Sequence, residues 1–504
     1  MEDLRALAGD CVHCGFCLPA CPTYQLWGEE MDSPRGRIHL MTQLMDGAVL
    51  DSPVLAHLDR CLGCMACVTA CPSGVRYDKL IEAARAWPLD EPRTPAQRAA
   101  RAAIFAVFPY PRRLRLLTGP LRAAQRTGLD KLITRSRIAA RLPAPVAAAL
   151  RLAPPPARRI RLPERVPAGG PRGGQHSQQG QHSQQGQQGQ LGQARRAVVG
   201  MLTGCVQGEF FPQVNAATAR LLSAEGCDVI IPRGQGCCGA LSLHSGRTDE
   251  AAALARRLAG VFDRAGVDAV VVNAAGCGSA MKEYAELASQ DPEAASAASA
   301  ADAANAASPA GAASAAGPAG PAGPAGAANA AATANAAGGG LAADAAGAAA
   351  FPAARVAAKV RDLAEFLIEL GPVAPRHPLP MTVAYHDACH LAHAQGVRAQ
   401  PRELLRAIPG LKLVEIPDGG TCCGSAGVYN LLQPDAAREL GERKADAVLA
   451  AKLAGADLLV SANPGCSLQI NAALAARGEW IPVAHIAQVL DASIRGLPVT
   501  ALTS

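Results

Sequence analysis

The stretch CVHCGFCLPACP at residues 11–22 returns as CLGCMACVTACP at residues 61–72. Each copy sets three cysteines two residues apart, then a fourth directly before proline. Two-residue gaps are tight turns that let three thiolates converge on one iron–sulfur cube. The fourth cysteine is held away from that cube, and in chains with two such copies it ligates the other cluster. On this reading Cys11, Cys14, Cys17 and Cys71 hold one 4Fe–4S cluster, and Cys21, Cys61, Cys64 and Cys67 hold a second. Structural zinc would use two C-x-x-C pairs rather than a run of four. Gly15 and Gly63 suit close approach of backbone to cluster, and Pro22 and Pro72 turn the chain away from it.

The remaining cysteines fall mostly in an internal repeat. One copy, within residues 196–286, reads AVVGMLTGC, NAATARLLSAEG, DVIIP, GQGCCGAL and AVVVNAAGCGS. The other, within 353–504, reads MTVAYHDACH, PRELLRAI, KLVEIP, GGTCCGSAG and LLVSANPGCS. Short β-branched runs alternating with helical stretches imply α/β units with parallel strands. The cysteines follow apolar runs, which places them on loops at strand ends, where open α/β sheets gather their sites. Each copy offers four thiols: Cys205, Cys237, Cys238 and Cys277, then Cys389, Cys422, Cys423 and Cys466. Four suffice for a further cluster in one copy or both, and cysteines that only pack are the alternative. Cys227, in SAEGCDVII, reads as a small buried hydrophobe. His386, His390 and His393 surround Cys389, where each could tune or ligate a cluster, move protons or serve the fold alone.

The elements that must position these thiols are interrupted by biased segments. Residues 93–165 carry seventeen Lys/Arg against two acidic residues, in a chain whose total is only +6. Leucine, isoleucine and phenylalanine are interleaved, so the segment reads as basic amphipathic helices. It is either a connector or a docking surface for a partner or an anionic membrane. No nucleic-acid recognition motif accompanies the charge. Residues 166–195 are a Gly/Gln-rich linker, and residues 287–352 an Ala/Gly/Pro insertion expected to be disordered. The N-terminal MEDLRALAGD lacks the apolar core of a secretory signal, and no run of eighteen apolar residues suggests a membrane span. Seventeen cysteines clustered in short motifs then imply metal ligands in a reducing, cytoplasmic compartment.

Residues 1–92 resemble the two-cluster ferredoxin domains of iron–sulfur subunits in respiratory oxidoreductases. The helical DSPRGRIHLMTQLM between the motifs points to the helical variant. GCCGAL and TCCGSAG resemble the cysteine-rich CCG domain of heterodisulfide reductase and several dehydrogenase subunits. That family's pattern ends in C-x-x-C. Here Ala280 and Gln469 stand at the last position, which puts its noncubane clusters in doubt. The whole order, with HLAHAQGVRAQPRELLRAIPG, CCGSAGVYN and NPGCSLQI, closely resembles the iron–sulfur subunits of bacterial glycolate oxidases.

The expected fold is α+β and multidomain, a helical two-cluster ferredoxin domain followed by a duplicated α/β CCG domain. The resemblance implies a complex that oxidises glycolate to glyoxylate, with flavin-containing dehydrogenase subunits as partners and electrons passed to a quinone-linked respiratory chain. It also implies a cytoplasmic place, with peripheral contact at the cytoplasmic face of the inner membrane left open. Removing two electrons from a 2-hydroxy acid calls for flavin or nicotinamide. The chain has neither a G-x-G-x-x-G after a strand nor a P-loop, so no flavin is expected on it, and its task is electron transfer. Iron–sulfur subunits of L-lactate utilisation, of anaerobic glycerol-3-phosphate dehydrogenase or of a heterodisulfide-reductase-like complex are the alternatives. The insertion cannot support a packed core. Deleting residues 290–348 should therefore leave iron content and assembled activity near those of the parent. Loss of clusters in that deletion would make the tract part of the fold.

Overall fold

The computed structural model describes residues 2–49, 51–87, 93–129, 132, 142–154, 157–169, 195–289 and 352–503. Most of the Gly/Gln-rich linker and of the Ala/Gly/Pro insertion lies outside these residues. The N-terminal part, up to residue 87, is helical, and no strand occurs among its described residues. Its main helices are Glu2–Gly9, Pro22–Trp27, Pro34–Met45, Ser52–Asp59, Ala66–Ala70 and Tyr77–Ala86. Proline at the first turn lacks only an N–H that the helix would leave unpaired anyway. So Pro22 both closes the first cysteine motif and starts a helix. Ile38, Met41, Leu58, Tyr77, Leu80 and Ile81 form the core. Beside it Asp32, fully buried, accepts from Arg37 at 3.3 Å and Arg60 at 3.0 Å and meets the His57 ring at 3.0 Å. A carboxylate out of water must be matched this way.

The basic segment supplies helices Pro95–Val107, Pro111–Thr127 and Ala144–Leu152. They pack through Ile104, Phe105, Leu114, Thr118 and Ala148. Part of the positive charge is used internally. Glu209, buried in the first repeat, accepts from Thr118 at 2.7 Å and pairs with Arg122 at 3.0 Å and Arg115 at 3.4 Å.

Two small sheets follow. Strands β1 (Arg165–Val166), β2 (Ala197–Met201), β3 (Cys227–Ile230), β4 (Ala269–Val272) and β5 (Val360–Asp362) lie in the order β1-β3-β2-β4-β5. Strands β6 (Thr382–His386), β7 (Lys412–Glu415), β8 (Leu458–Ser461) and β9 (Val483–His485) lie in the order β7-β6-β8-β9. Every pairing is parallel except β1 with β3. The parallel α/β reading therefore holds. One boundary differs from the sequence division, which gave residues 353–504 to the second repeat: Val360–Asp362 pairs with β4 and completes the first sheet. Three residues carry too little pattern to announce a strand. β1, at the end of the basic segment, likewise edges the first sheet.

The helix after each last strand crosses to the other repeat. Leu363–Leu370, after β5, packs on Ala399–Arg406, and Ile486–Ile494, after β9, packs on Pro212–Ala224. This reciprocal exchange is the signature of an approximate two-fold axis. One core joins both sheets, from Val199 and Leu221 to Val383, Leu458 and Ile470. Among the described residues no helix is long and apolar enough to cross a membrane.

Both crossing helices begin with a capping box, at Asp362 with Glu365 and at His485 with Gln488. Asp362 is wholly buried, and burial pushes its carboxyl from 3.8 up to about 7 despite the Ala364 N–H it accepts. The folded state thus holds an extra proton between about pH 4 and pH 7, and stability falls as pH rises through that window. Asp362→Asn keeps a capping acceptor without the charge. It should raise the unfolding midpoint at pH 8, by a free energy on the order of 4 kcal/mol at most. The gain should vanish near pH 4, as thermal scans at the two pH values would show.

Candidate metal centres and the cavity between the repeats

The two cysteine motifs fold into the same loop. In the first, His13 and Gly15 take left-handed backbone at φ 52° and 89°. In the second, Gly63 and Met65 do so, both at φ 63°. The left-handed positions follow the same steps after the first and second cysteine of each copy. Each copy spends its one loop glycine on a different position and holds an ordinary residue in the strained place at the other. Such over-determined backbone is expected where three sulfurs must point inward.

The thiols gather in two separate cavities. Cys11, Cys14, Cys17 and Cys71 line one, and Cys21, Cys61, Cys64 and Cys67 line the other. Each has the four-sulfur donor set that a cubane requires. The first lies at the surface, with Cys14 exposed and the flanking Val12 and Phe16 exposed as well. The second is buried. Its sulfurs have polar company: the Gly63 N–H at 3.4 Å and the Tyr77 hydroxyl at 3.6 Å from Cys61, and the Thr23 hydroxyl at 3.3 Å from Cys21. Burial pushes the Cys61 thiol up, but Arg37, Arg85 and these donors outweigh it, and the net shift is down. Cys64 and Cys67 stay well above the usual thiol value because burial dominates there.

The eight cysteines of the α/β repeats do not form two remote sites. Cys205, Cys237, Cys238 and Cys277 face Cys389, Cys422, Cys423 and Cys466 across one cavity of about 140 Å³. The two-fold exchange of helices brings both sets of strand-end loops to the axis. In each Cys-Cys-Gly turn the glycine is left-handed, φ 85° at Gly239 and 86° at Gly424. A Cβ there would lie 3.0 Å from the Ala251 carbonyl oxygen or 2.6 Å from that of Ala437. Only glycine lets the paired cysteines sit so close beneath the following helix. Cys205 and Cys237 sulfurs are 3.8 Å apart. The fifth positions stay out of the donor set. Ala280 has no donor atom, and the Gln469 amide is held by Ala437 and Asn430 at 2.7 and 3.2 Å. Cys227 is buried at the start of β3, away from the cavity, with its thiol pushed up to about 11 by burial.

The N-terminal part docks on the mouth of this cavity. The His390 ring meets the Gly63 carbonyl, between Cys61 and Cys64, at 2.8 Å. His393 meets the Thr69 hydroxyl at 2.7 Å. Arg85 donates to the His244 carbonyl at 2.7 Å and also to the Cys61 carbonyl. Two residues that no motif singled out complete the contact: Glu82 accepts from the His244 ring at 2.9 Å. His244 and His390 meet edge to face at 4.8 Å, and each keeps one buried ring nitrogen without a partner among the described residues. Burial drops His390 to about 4, so it is neutral at pH 7. The Glu82–His244 pair spans 162 residues, and no local pattern could have disclosed it.

Residues 8–75 match the family of 4Fe-4S dicluster domains, and residues 199–282 and 383–471 match the cysteine-rich domain. Residues 96–153 match the linker region of the glycolate oxidase iron-sulfur subunit. The chain is 31% identical to a probable glycolate oxidase iron-sulfur subunit of Bacillus subtilis, over 95% of this chain and 93% of that one. It is 30% identical to the glycolate oxidase iron-sulfur subunit of Escherichia coli, over 94% and 93%. A lactate utilization protein A of Exiguobacterium is 26% identical but spans 59% of this chain. With dicluster, linker and both cysteine-rich regions present in one order, the chain belongs to the family of glycolate oxidase iron–sulfur subunits.

Proposed function

We propose that this chain is the iron–sulfur electron carrier of a complex that oxidises glycolate to glyoxylate on the flavin of a partner subunit. The observation that carries the reading is the sequence of thiol-lined cavities. It runs from an exposed set at Cys11, Cys14, Cys17 and Cys71, through a buried set at Cys21, Cys61, Cys64 and Cys67, to the inter-repeat cavity. Clusters bound there supply one-electron transfer, which turns the two-electron oxidation of the substrate into single steps. Around them, Arg37 and Arg85 offset the thiolate charge, and the His390–Gly63 contact pins the buried loop to the next cavity. Val12 and Phe16, exposed beside Cys14, give a flavoprotein partner an apolar landing at the first cavity. The match across 96–153 favours the glycolate complex over lactate utilisation, whose relatives span little more than half of the chain.

The assignment of thiols to clusters is crossed, each motif lending its fourth cysteine to the other. Cys21→Ser should then damage the cluster built on Cys61, Cys64 and Cys67. If spectroscopy finds only the cluster of Cys11, Cys14 and Cys17 altered, the crossed assignment fails.

Helix Pro111–Thr127 presents Arg112, Arg113, Leu116 and Leu117 to solvent, with Leu116 76% exposed. This face suits peripheral contact with the anionic cytoplasmic leaflet, which salt would weaken. Replacing the two arginines with Gln and the two leucines with Ser should keep iron content and lower sedimentation with membranes. Undiminished sedimentation at low salt would leave the helix a connector only. Arg135 and Arg137, also part of the basic segment, lie outside the described residues.

A further inference from the structure

The two cysteine-rich sites are built on corresponding strands but are not alike. Met201 stands opposite Val271 in the first sheet as Tyr385 stands opposite Val460 in the second. One residue on, the first repeat has Leu202 and the second has His386. In each repeat a cysteine follows three residues later, Cys205 or Cys389. His386 is 1% exposed, and among the described residues no nitrogen or oxygen partners its ring, which has only the Cys423 sulfur within hydrogen-bonding reach. A buried imidazole with no oxygen or nitrogen partner loses its hydration uncompensated unless something occupies it. What faces it is sulfur. A ring nitrogen of His386 and the sulfurs of Cys423 and Cys466 all lie within 4.8 Å of one another.

The differences around the sites run the same way. Ala240 and Ala274 in the first repeat become Ser425 and Asn463 in the second. The Asn463 amide donates to the Cys466 sulfur at 3.3 Å. Lys444, 2% exposed, donates to the Asp418 and Gly419 carbonyls at 3.2 Å and lies on the helix above the second Cys-Cys-Gly turn. Gln469, which stands where a fifth thiol would, is bound elsewhere by its amide.

We infer that His386 supplies the fifth donor of the second cysteine-rich site, binding iron through a ring nitrogen beside Cys423 and Cys466, whereas the first site has sulfur donors alone. The inference rests on the reading that these repeats hold iron–sulfur clusters. Histidine serves beside cysteine as an iron ligand in two-histidine Rieske centres. Here both sites keep four thiolates, so the added imidazole is neutral and sets the second site apart by a nitrogen bound to iron.

The test is pulsed EPR on the reduced full chain, grown with natural or ¹⁵N-labelled histidine. The parent and the His390→Leu variant should show a directly bonded imidazole nitrogen that changes isotope with the label. His386→Leu, which installs the first repeat's own residue, should lose that coupling. Cluster signals from the repeats without any histidine coupling in the parent would overturn the inference. So would a coupling that survives in His386→Leu. Iron and sulfide no greater than two cubanes require would overturn the underlying reading, and the inference with it. The labelled parent decides the matter even if the variant does not fold.

Discussion

Eight thiols can line one cavity only because each α/β repeat completes its packing with a helix from the other. The helix after β9 lies on Pro212–Ala224, and Arg220 grips Asp491 across that contact at 2.6 and 3.0 Å. Beside it Glu225, wholly buried, accepts from the Val373 and Ala374 N–H groups and from Arg376 at 2.7–3.0 Å. Neither carboxylate could be left without its partners in so dry a place. The charges fix the relative position of the two sheets, and the sheets in turn fix where the strand-end loops meet. Neither repeat alone would bury its cysteines to this degree.

The N-terminal part uses that platform. Most of its polar contacts with the repeats come from the second cysteine motif and the helix after it, at Gly63, Thr69, Lys79, Glu82 and Arg85, while the helix Pro22–Trp27 packs on Pro434–Leu453. The start of the first motif is open, with Val12, Cys14 and Phe16 exposed. Duplication of one loop thus produces two environments from nearly the same backbone. One is wet and open to a partner, and the other is dry and locked against the cavity. Electrostatics follow burial: charges near the inner thiols act through low-dielectric surroundings, while those near the outer ones are screened.

Much of this was legible in the chain. The paired motifs, the Cys-Cys-Gly turns and runs such as AVVGM and AVVV lie within windows where spacing and β-branching speak for themselves. What lay hidden was long-range or very short. The pattern VRD of β5 says nothing until β4 is seen beside it. Two separate sets of four cysteines gave no hint that they face each other, since that depends on how the helices cross. His386 was visible as one histidine among three near Cys389. Only strand register, which sets it against Leu202, separates it from His390 and His393, whose rings are turned to the N-terminal loops.

The late arrival of β5 bears on how the molecule is made. The first sheet has its inner strands in hand once Val272 has been synthesised, yet its last strand begins at Val360, beyond the Ala/Gly/Pro tract. A chain emerging from the ribosome therefore holds an open strand edge on β4 while that whole tract is translated. The helix that crosses back to the first repeat comes later still, after β9. The N-terminal domain can fold early, as domains generally do in order of synthesis. The inter-repeat cavity closes only with the last helices. Assembly of the site lined by the eight inner cysteines is thereby tied to the end of translation, and that of the N-terminal thiols is not.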